Sequence, residues 1–235
     1  MASVQVVEQL PLHVQLRDDA TFENFYSGTA QEVVDQMKRS ASGEGEQAIY
    51  VYGDLGAGCS HLLQAACHEA ESKGLNSVYL PLEELVHYSP AIFESLERLP
   101  LLALDNLQCV MGQPQWEEAI FHLFNRVRDK GGRLLFAANC PLDELGVKLP
   151  DLKSRLNWGL MYQLPTPDEA FKVGALQYRA HNRGLDMSED VAKYVVKNEE
   201  GDVERIFAAL EQLDRASLSA KKRLTKPFVK DVMGW

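Results

Sequence analysis

Residues 48–60 decide the fold class, and their sequence is AIYVYGDLGAGCS. The apolar run at residues 48–52 predicts a buried strand, the glycines predict a loop, and the amphipathic pattern at residues 60–73 predicts a helix. Strand, glycine-rich loop and helix in this order are the context of a phosphate-binding loop, whose backbone N–H groups and helix N-terminus surround phosphate oxygens. A tight turn without a ligand is the alternative, but such a turn does not require three glycines in six residues.

The loop supplies the first candidate nucleotide-binding residues, which are Gly53, Gly56, Ala57, Gly58, Cys59, Ser60 and His61. Ser60 occupies the position of the hydroxyl that binds magnesium in such loops. Cys59 stands where a lysine normally contacts the β- and γ-phosphates, and a thiol supplies neither the charge nor the reach of that lysine. We therefore predict a phosphate-binding loop with reduced affinity for triphosphate and poor catalysis.

A second acidic element supports this interpretation. The apolar run at residues 101–104 is followed by Asp105, which is predicted to hold the water shell of the magnesium ion. Asn106 stands where a catalytic carboxylate usually follows, and an amide cannot act as a general base. Asn139 ends another apolar run and fits a sensor of the γ-phosphate or the attacking water, while a simple turn before Pro141 is the open alternative.

Short apolar runs alternate with helical patterns through most of the chain. Strands are predicted at residues 48–52, 77–80, 101–104, 133–138 and 161–164. Helices are predicted at residues 60–73, 90–98 and 114–129. This alternation predicts an α/β fold in which a parallel five-stranded sheet lies between helices.

Three regions of the chain differ in pattern. Residues 1–20 predict an extended arm, residues 21–165 an α/β core, and residues 166–235 a small all-α domain without strand-like runs. Gly184 marks the first helix break in the third region. The candidate helix N-caps of this region are Asp168, Ser188 and Ser217.

Bulk composition argues against several protein classes. The chain has 235 residues, of which 46% are hydrophobic and 25% charged, as in ordinary globular proteins. Without a long apolar run or a signal-peptide pattern, we expect a cytoplasmic protein with no membrane partner. A net charge of −10 disfavours autonomous DNA binding, which requires a basic surface. The scattered cysteines predict reduced thiols, and not a disulfide framework or zinc site: Cys59, Cys67, Cys109 and Cys140.

Several segments outside the loop carry a specific resemblance. They are TFENF at residues 21–25 with Gly28, LDN at 104–106, LKSRLNWG at 152–159, EQLDRAS at 211–217 and LTKPFVK at 224–230. Together with the loop they resemble the DnaA-related AAA+ family over almost the whole chain. The sequence is similar to the bacterial initiator DnaA and still more to the shorter Hda group, the regulatory inactivators of DnaA.

The resemblance implies an AAA+ P-loop NTPase core with a small C-terminal all-α lid. It also implies a bound nucleoside diphosphate, ADP above all, with magnesium held through Ser60 and Asp105. The implied partner is the ATP-bound initiator DnaA, and a homodimer or higher homo-oligomer is expected. In DnaA a helix-turn-helix DNA-binding domain follows the lid; this sequence ends at Trp235, so we expect no such domain here.

Arg155 lies in the resembling segment at residues 152–159 and matches the family's arginine finger. A guanidinium is permanently charged and can bind two phosphate oxygens at once, so one subunit can complete the active site of its neighbour. The alternative is a surface arginine paired with a carboxylate such as Asp151.

The arm contains a second partner element. Gln9, Leu10, Pro11 and Leu12 resemble the peptide with which bacterial replication proteins bind the sliding clamp, the β subunit. An extended chain places Leu10 and Leu12 on one face, where both can enter an apolar groove. An N-terminal strand or a disordered tail is the alternative.

One position of the lid departs from the family. Glu204 falls where the family has its sensor 2 arginine, and Arg205 follows one residue later. A nucleotide contact by Arg205 and an ordinary helix-surface charge are both open.

These features favour a negative regulator of replication initiation. In this hypothesis the arm binds the DNA-loaded sliding clamp, which brings the protein to the nucleoid, and Arg155 stimulates ATP hydrolysis by DnaA. A free-standing AAA+ ATPase, such as a helicase loader, is the alternative, and Cys59 and Asn106 oppose it because both weaken intrinsic hydrolysis. A DNA-binding replication factor is opposed by the net charge.

Overall fold

The computed structural model describes residues 16–199 and 203–235. The predicted clamp-binding residues Gln9, Leu10, Pro11 and Leu12 lie outside the described residues. So do Gly201 and Asp202, which precede Arg205 in the lid.

The predicted parallel sheet is confirmed. Its five strands are β1 (Ala48–Tyr52), β2 (Ser77–Pro81), β3 (Leu101–Asp105), β4 (Arg133–Ala138) and β5 (Leu160–Gln163). Their order across the sheet is β2-β3-β4-β1-β5, and every pairing is parallel. The carboxyl ends of the central strands β1, β3 and β4 therefore meet at one edge of the sheet, where α/β proteins commonly bind ligands.

Helices cover both faces of the sheet. The core helices are α1 (Gln31–Ala41), α2 (Cys59–Ser72), α3 (Leu82–Leu85), α4 (Pro114–Asp129) and α5 (Pro150–Leu156). Alternate residues of β1 point to opposite faces: Tyr50 packs with Trp116 and Phe124 of α4, whereas Ile49 packs with Leu62 of α2. The central strands β1, β3 and β4 are thus buried on both sides, which explains why they are continuous apolar runs.

The helix predicted at residues 90–98 is wrong. Two short 3-10 helices, Pro90–Phe93 and Leu96–Arg98, occupy this segment. Glu94 between them is extended, and Ser95 has a φ of 67° in the left-handed region. A left-handed residue cannot continue a right-handed helix, so the segment breaks there.

Four further helices form the lid around a core of their own. They are α6 (Glu169–Asn182), α7 (Glu189–Asn198), α8 (Val203–Ala220) and α9 (Lys226–Met233). The buried residues Leu176, Val195 and Leu213 bring three of them together. Among the described residues, no helix is both long enough and apolar enough to cross a bilayer.

The N-cap predictions for the lid have different outcomes. Asp168 caps α6 and accepts a hydrogen bond from the backbone N–H of Phe171 at 2.7 Å. Ser188 occupies the N-cap position of α7 without a side-chain hydrogen bond to that helix. The prediction for Ser217 is wrong, because Ser217 lies inside α8 and its hydroxyl donates to the carbonyl of Lys222. Thr225 caps α9 instead.

A buried carboxylate fixes the loop that precedes α5. Glu117 of α4 is 1% exposed and accepts hydrogen bonds from three backbone N–H groups. The donors are Gly112 at 2.7 Å, Lys148 at 3.0 and 3.1 Å, and Leu149 at 2.6 Å. Glu117 thereby sets the start of the helix that carries Arg155.

Replacing Glu117 by alanine is expected to lower the free energy of unfolding by about 3 kcal/mol, because three backbone donors lose a charged acceptor. The measurement is urea unfolding of both the wild-type and the variant chain. Glu118→Ala is the matched control, since Glu118 is the exposed neighbour on the same helix, and we expect a change within about 0.5 kcal/mol. Equal losses for both variants would contradict the anchoring role of Glu117.

Candidate nucleotide-binding site

The predicted phosphate-binding loop connects β1 to α2, and its backbone requires glycine. Gly58 is the N-cap of α2 with a φ of 99°, and a Cβ atom there would lie 2.7 Å from the ring of Phe25. Gly56 has a φ of 82°, in the left-handed region that side chains disfavour. A Cβ at Gly53 would lie 2.9 Å from the Cβ of Ala57. The loop is therefore packed too tightly for other residues at these positions.

A cleft of about 550 Å³ opens beside this loop, between the core and the lid. Its volume falls within the usual range for small-molecule sites. The predicted nucleotide-binding residues that line it are Gly53, Gly56, Ala57, Gly58, Cys59, Ser60, His61, Asp105 and Asn139. The fold thus brings together residues from three separate strand ends and one helix.

Ser60 and Asp105 form the oxygen pair predicted to face magnesium. Asp105 is 1% exposed, and its carboxylate accepts hydrogen bonds from the Ser60 side chain, the Tyr79 hydroxyl and the Asn106 N–H. Burial raises the pKa of Asp105, although these three hydrogen bonds oppose the shift. Among the described residues no group of three or more acidic, histidine or cysteine side chains could hold a metal. The pair fits a magnesium ion that takes its remaining ligands from phosphate and water.

Cys59 leaves the loop without the cation that usually binds the terminal phosphates. Burial, followed by the nearby charge of Asp105, raises the pKa of the Cys59 thiol to about 12. The group is therefore a neutral thiol at physiological pH. The charged residues that line the cleft are two arginines and four carboxylates: Arg17 and Arg179, and Asp54, Glu83, Asp105 and Glu204. The excess of carboxylates repels negative charge, so a nucleoside triphosphate is less favoured in this cleft than a diphosphate.

Amide side chains occupy the position where hydrolytic enzymes place a carboxylate. Asn106 has a φ of 57°, and its Oδ1 accepts a hydrogen bond from Nε2 of Gln108 at 3.0 Å. The Oε1 of Gln108 accepts one from the backbone N–H of Asn139 at 3.3 Å. Gln108 therefore bridges the ends of β3 and β4, a contact that the sequence analysis missed. Neither an asparagine nor a glutamine side chain can take a proton from water.

His61 is held between the core and the lid. Its Nε2 lies 2.7 Å from the carbonyl oxygen of Thr21, and its Nδ1 lies 3.2 Å from Nη2 of Arg179. Burial lowers the pKa of His61 to about 4, so the ring is neutral at physiological pH. A neutral ring that donates from Nε2 to Thr21 and accepts at Nδ1 from Arg179 satisfies both contacts.

Arg205 is not among the described residues that line the cleft. From the same helix α8, the lining residues are Val203, Glu204 and Phe207. Successive residues of an α-helix are rotated by about 100°, so Arg205 lies on a different face from Val203 and Phe207. The prediction of Arg205 as a nucleotide-binding residue therefore gains no support from its position. Glu204, where the family has its arginine, does line the cleft.

Arg155 lies outside the cleft, in the last turn of α5. Its guanidinium carbon is 6.0 Å from the centre of the Phe121 ring. Within residues 16–199 and 203–235 it forms no ion pair with Asp151 or another carboxylate, and its Nε is buried without a hydrogen-bond partner. Trp158, just after the helix, is 51% exposed while its ring packs against Phe124. Arg155 is therefore half-buried against Phe121 and has no carboxylate partner among the described residues.

Comparisons with known proteins agree with this architecture. The family described as bacterial DnaA ATPase domain matches residues 16–163, and the family described as Hda, lid domain matches residues 169–233. An uncharacterized protein of Haemophilus influenzae is 40% identical over 227 residues, which cover 96% of this chain and 98% of that protein.

Solved structures of DnaA share the fold. Domain III of the Thermotoga maritima replication initiation protein DnaA has a TM-score of 0.74 at 22% identity, covering 94% of this chain and 98% of that one. The AMPPCP-bound DnaA of Aquifex aeolicus has a TM-score of 0.69 at 24% identity, covering 83% and 65%. Both similarities concern the fold. With the match over residues 16–163, the chain belongs to the bacterial DnaA ATPase domain family, as an Hda/DnaA-related AAA+ protein with a lid of the Hda type.

Proposed function

We propose that this chain is a negative regulator of replication initiation which, with the DNA-loaded sliding clamp, stimulates ATP hydrolysis by the initiator DnaA. One observation carries the proposal: a well-formed cleft lacks the groups for its own hydrolysis, while Arg155 stands outside it without an ion pair among the described residues. A protein built in this way is suited to complete a partner's active site and poorly suited to turn over ATP itself.

The cleft supports binding of a nucleoside diphosphate, with ADP as the proposed ligand. The glycine loop and the N-terminus of α2 supply backbone N–H groups for phosphate. The thiol of Cys59 removes the usual contact to the γ-phosphate, and Asn106 removes the usual general base. Ser60 and Asp105 would hold magnesium, which supplies positive charge beside the phosphates.

The proposed partner action rests on Arg155. The related DnaA of Aquifex aeolicus was solved with AMPPCP, a triphosphate analogue, so that relative binds a nucleotide with three phosphates. An arginine supplied by a neighbouring subunit can stabilise the charge that develops during hydrolysis of such a nucleotide. Arg155 sits on a short helix whose start is held by Glu117, which favours a defined position for its guanidinium.

The proposal includes the clamp through the arm residues Gln9, Leu10, Pro11 and Leu12. These residues lie outside the described part of the chain, so the support here is the sequence pattern alone. The net charge of −10 supports reaching DNA through the clamp and not through the protein's own surface. We further propose a homodimer or higher homo-oligomer and a location at the nucleoid through the clamp.

The nucleotide that is released from the purified protein tests the first half of the proposal. We expect a nucleoside diphosphate after denaturation, identified by chromatography, and very slow steady-state hydrolysis of added ATP. Rapid turnover by the isolated chain that Asp105→Ala abolishes would contradict a regulatory role and favour a free-standing ATPase.

Two carboxylates of the cleft are expected to set the preference for diphosphate. Glu83 follows β2 at the start of α3, and Glu204 comes from the lid. Both residues line the cleft. Burial and then the charges of Asp105, Glu84 and Glu204 raise the pKa of Glu83. A triphosphate adds further negative charge next to them.

Replacing Glu83 and Glu204 together by glutamine should raise the affinity for ATP relative to ADP. Each removed charge contributes about 1 kcal/mol at the bulk-water limit, which is roughly fivefold per residue. The measurement is competition of ATP and ADP, with magnesium, against a fluorescent nucleotide. Glu84→Gln is the matched control, because Glu84 is adjacent but does not line the cleft. An unchanged affinity ratio in the double variant would exclude these carboxylates as the cause.

A further inference from the structure

The segment that joins the arm to the core lies directly on the phosphate-loop helix. We call residues 16–21 the strap. The backbone N–H of Arg17 donates to Oε1 of Gln64 at 2.9 Å, and the carbonyl of Arg17 lies 3.0 Å from Nε2 of His68. Thr21 at the other end of the strap contacts His61. The strap therefore contacts three positions of α2.

A buried arginine of the lid contacts both the strap and α2. Arg179 of α6 is 5% exposed, and its Nη1 lies 3.1 Å from the carboxylate of Asp19. Its Nη2 lies 3.2 Å from Nδ1 of His61, and its guanidinium lies 3.8 Å from the centre of the Phe207 ring. A buried cation is costly unless it is paired, so Asp19 is required to keep Arg179 in place.

The strap carboxylate is ionised in this arrangement. Burial by itself raises the pKa of Asp19, but the hydrogen bond and charge of Arg17 and the charge of Arg179 outweigh it and lower the pKa below its usual value. The pair is therefore charged at physiological pH. Asp18, the neighbouring carboxylate, is exposed.

The strap, helix α2 and the lid each contribute residues to the wall of the cleft. Arg17 comes from the strap, His61 from α2, and Arg179 and Phe207 from the lid. The contacts of Arg179 with Asp19 and His61 therefore hold three walls of the cleft together. Tight binding of the ligand and a closed cluster favour each other, because binding energy is lost if the walls must first be assembled.

We propose that Arg179 is a positioning residue that couples the nucleotide cleft to the strap. This inference rests on the proposed nucleotide binding and adds its regulation. Such coupling is reciprocal: if nucleotide orders the strap, a partner that fixes the strap raises the affinity for nucleotide by the same factor. The strap and the cleft thus act as two linked sites.

The test compares Asp19→Asn with Asp18→Asn in the full chain, using a fluorescent nucleoside diphosphate with magnesium as the probe. Asp19→Asn removes the charged hydrogen bond to Arg179, so we expect the nucleotide to dissociate roughly ten- to hundredfold faster from this variant. Asp18→Asn should release the nucleotide at the wild-type rate. Equal release rates for the two variants would overturn the inference. A wild-type chain that binds no nucleotide would overturn the proposed function and this inference with it.

Amide hydrogen exchange separates coupling from a general loss of stability. In the wild type and in Asp18→Asn, the probe should slow exchange in both the strap and α6. In Asp19→Asn the probe should still slow exchange in the phosphate loop but no longer in the strap. Protection of the strap by nucleotide in Asp19→Asn would contradict the coupling.

Arg179→Lys provides a second variant that keeps the charge. Lysine can pair with Asp19 but cannot also lie flat on Phe207 and donate to His61. We expect a release rate between those of the wild type and Asp19→Asn, and the double variant should release nucleotide no faster than Asp19→Asn alone, because both changes break one cluster. Additive effects in the double variant would show that the two residues act separately and would overturn the inference.

Discussion

Replacing Arg155 by alanine is expected to abolish the proposed stimulation of ATP hydrolysis by DnaA. Arginine fingers supply roughly 10³–10⁵ in rate when the partner site is otherwise complete, so the expected loss is of that size. Nucleotide binding by the variant should be unchanged, because Arg155 does not line the cleft of its own chain. The assay is single-turnover hydrolysis of ATP preloaded on DnaA, with DNA-loaded clamp.

Two further variants sharpen this result. Arg155→Lys should restore little of the stimulation of hydrolysis, since an ammonium cannot make the paired, planar contact to phosphate oxygens. Lys153→Ala is the matched control from the same helix, where Lys153 pairs with Asp143 at 2.8 Å. Stimulation by Arg155→Ala at the wild-type rate would rule out an arginine supplied in trans.

Replacing Gln9, Leu10 and Leu12 together by alanine is expected to remove binding to the sliding clamp. Alternate side chains of an extended peptide enter an apolar groove, and truncation of two leucines and the glutamine leaves no anchor. Binding is measured with immobilised clamp. The midpoint of thermal unfolding should stay within a few degrees, because a terminal segment that serves only to bind the clamp should contribute little to the stability of the core.

The matched control changes similar residues outside the motif, namely Gln5, Val6 and Val7 to alanine, and should bind the clamp normally. A peptide of residues 8–16 should compete weakly. If the first triple substitution unfolds the protein, these residues form a structural strand, and the clamp interpretation is wrong.

The elements that depend on local pattern could be predicted from the sequence. The central strands are continuous apolar runs because both of their faces are covered. Each of the five predicted strands lies within one residue of the observed bounds. Helix α4 has the predicted bounds because Pro114 fixes its first turn and Gly131 follows its end. The helix predicted at residues 90–98 failed because a left-handed Ser95 has no signature in the sequence.

The parts of the site that depend on distant contacts could not be predicted. Asp19 and Arg179 meet across 160 positions of the chain, and only the folded arrangement of core and lid brings them together. The sequence offers one signal for this contact: Arg179 follows Leu176 by three residues, which places its charge on the buried face of α6. Glu83 was missed for a related reason: its place at the cleft follows from the pairing of β2 with β3.

The most direct test of the account follows the ATP that DnaA carries. DnaA is preloaded with radiolabelled ATP, and this chain and DNA-loaded clamp are added separately and together in a single-turnover reaction. We expect rapid hydrolysis of the label only when both are present, and negligible ATP turnover by this chain alone. Hydrolysis of the label at the same rate without this chain would contradict the central claim that it stimulates DnaA.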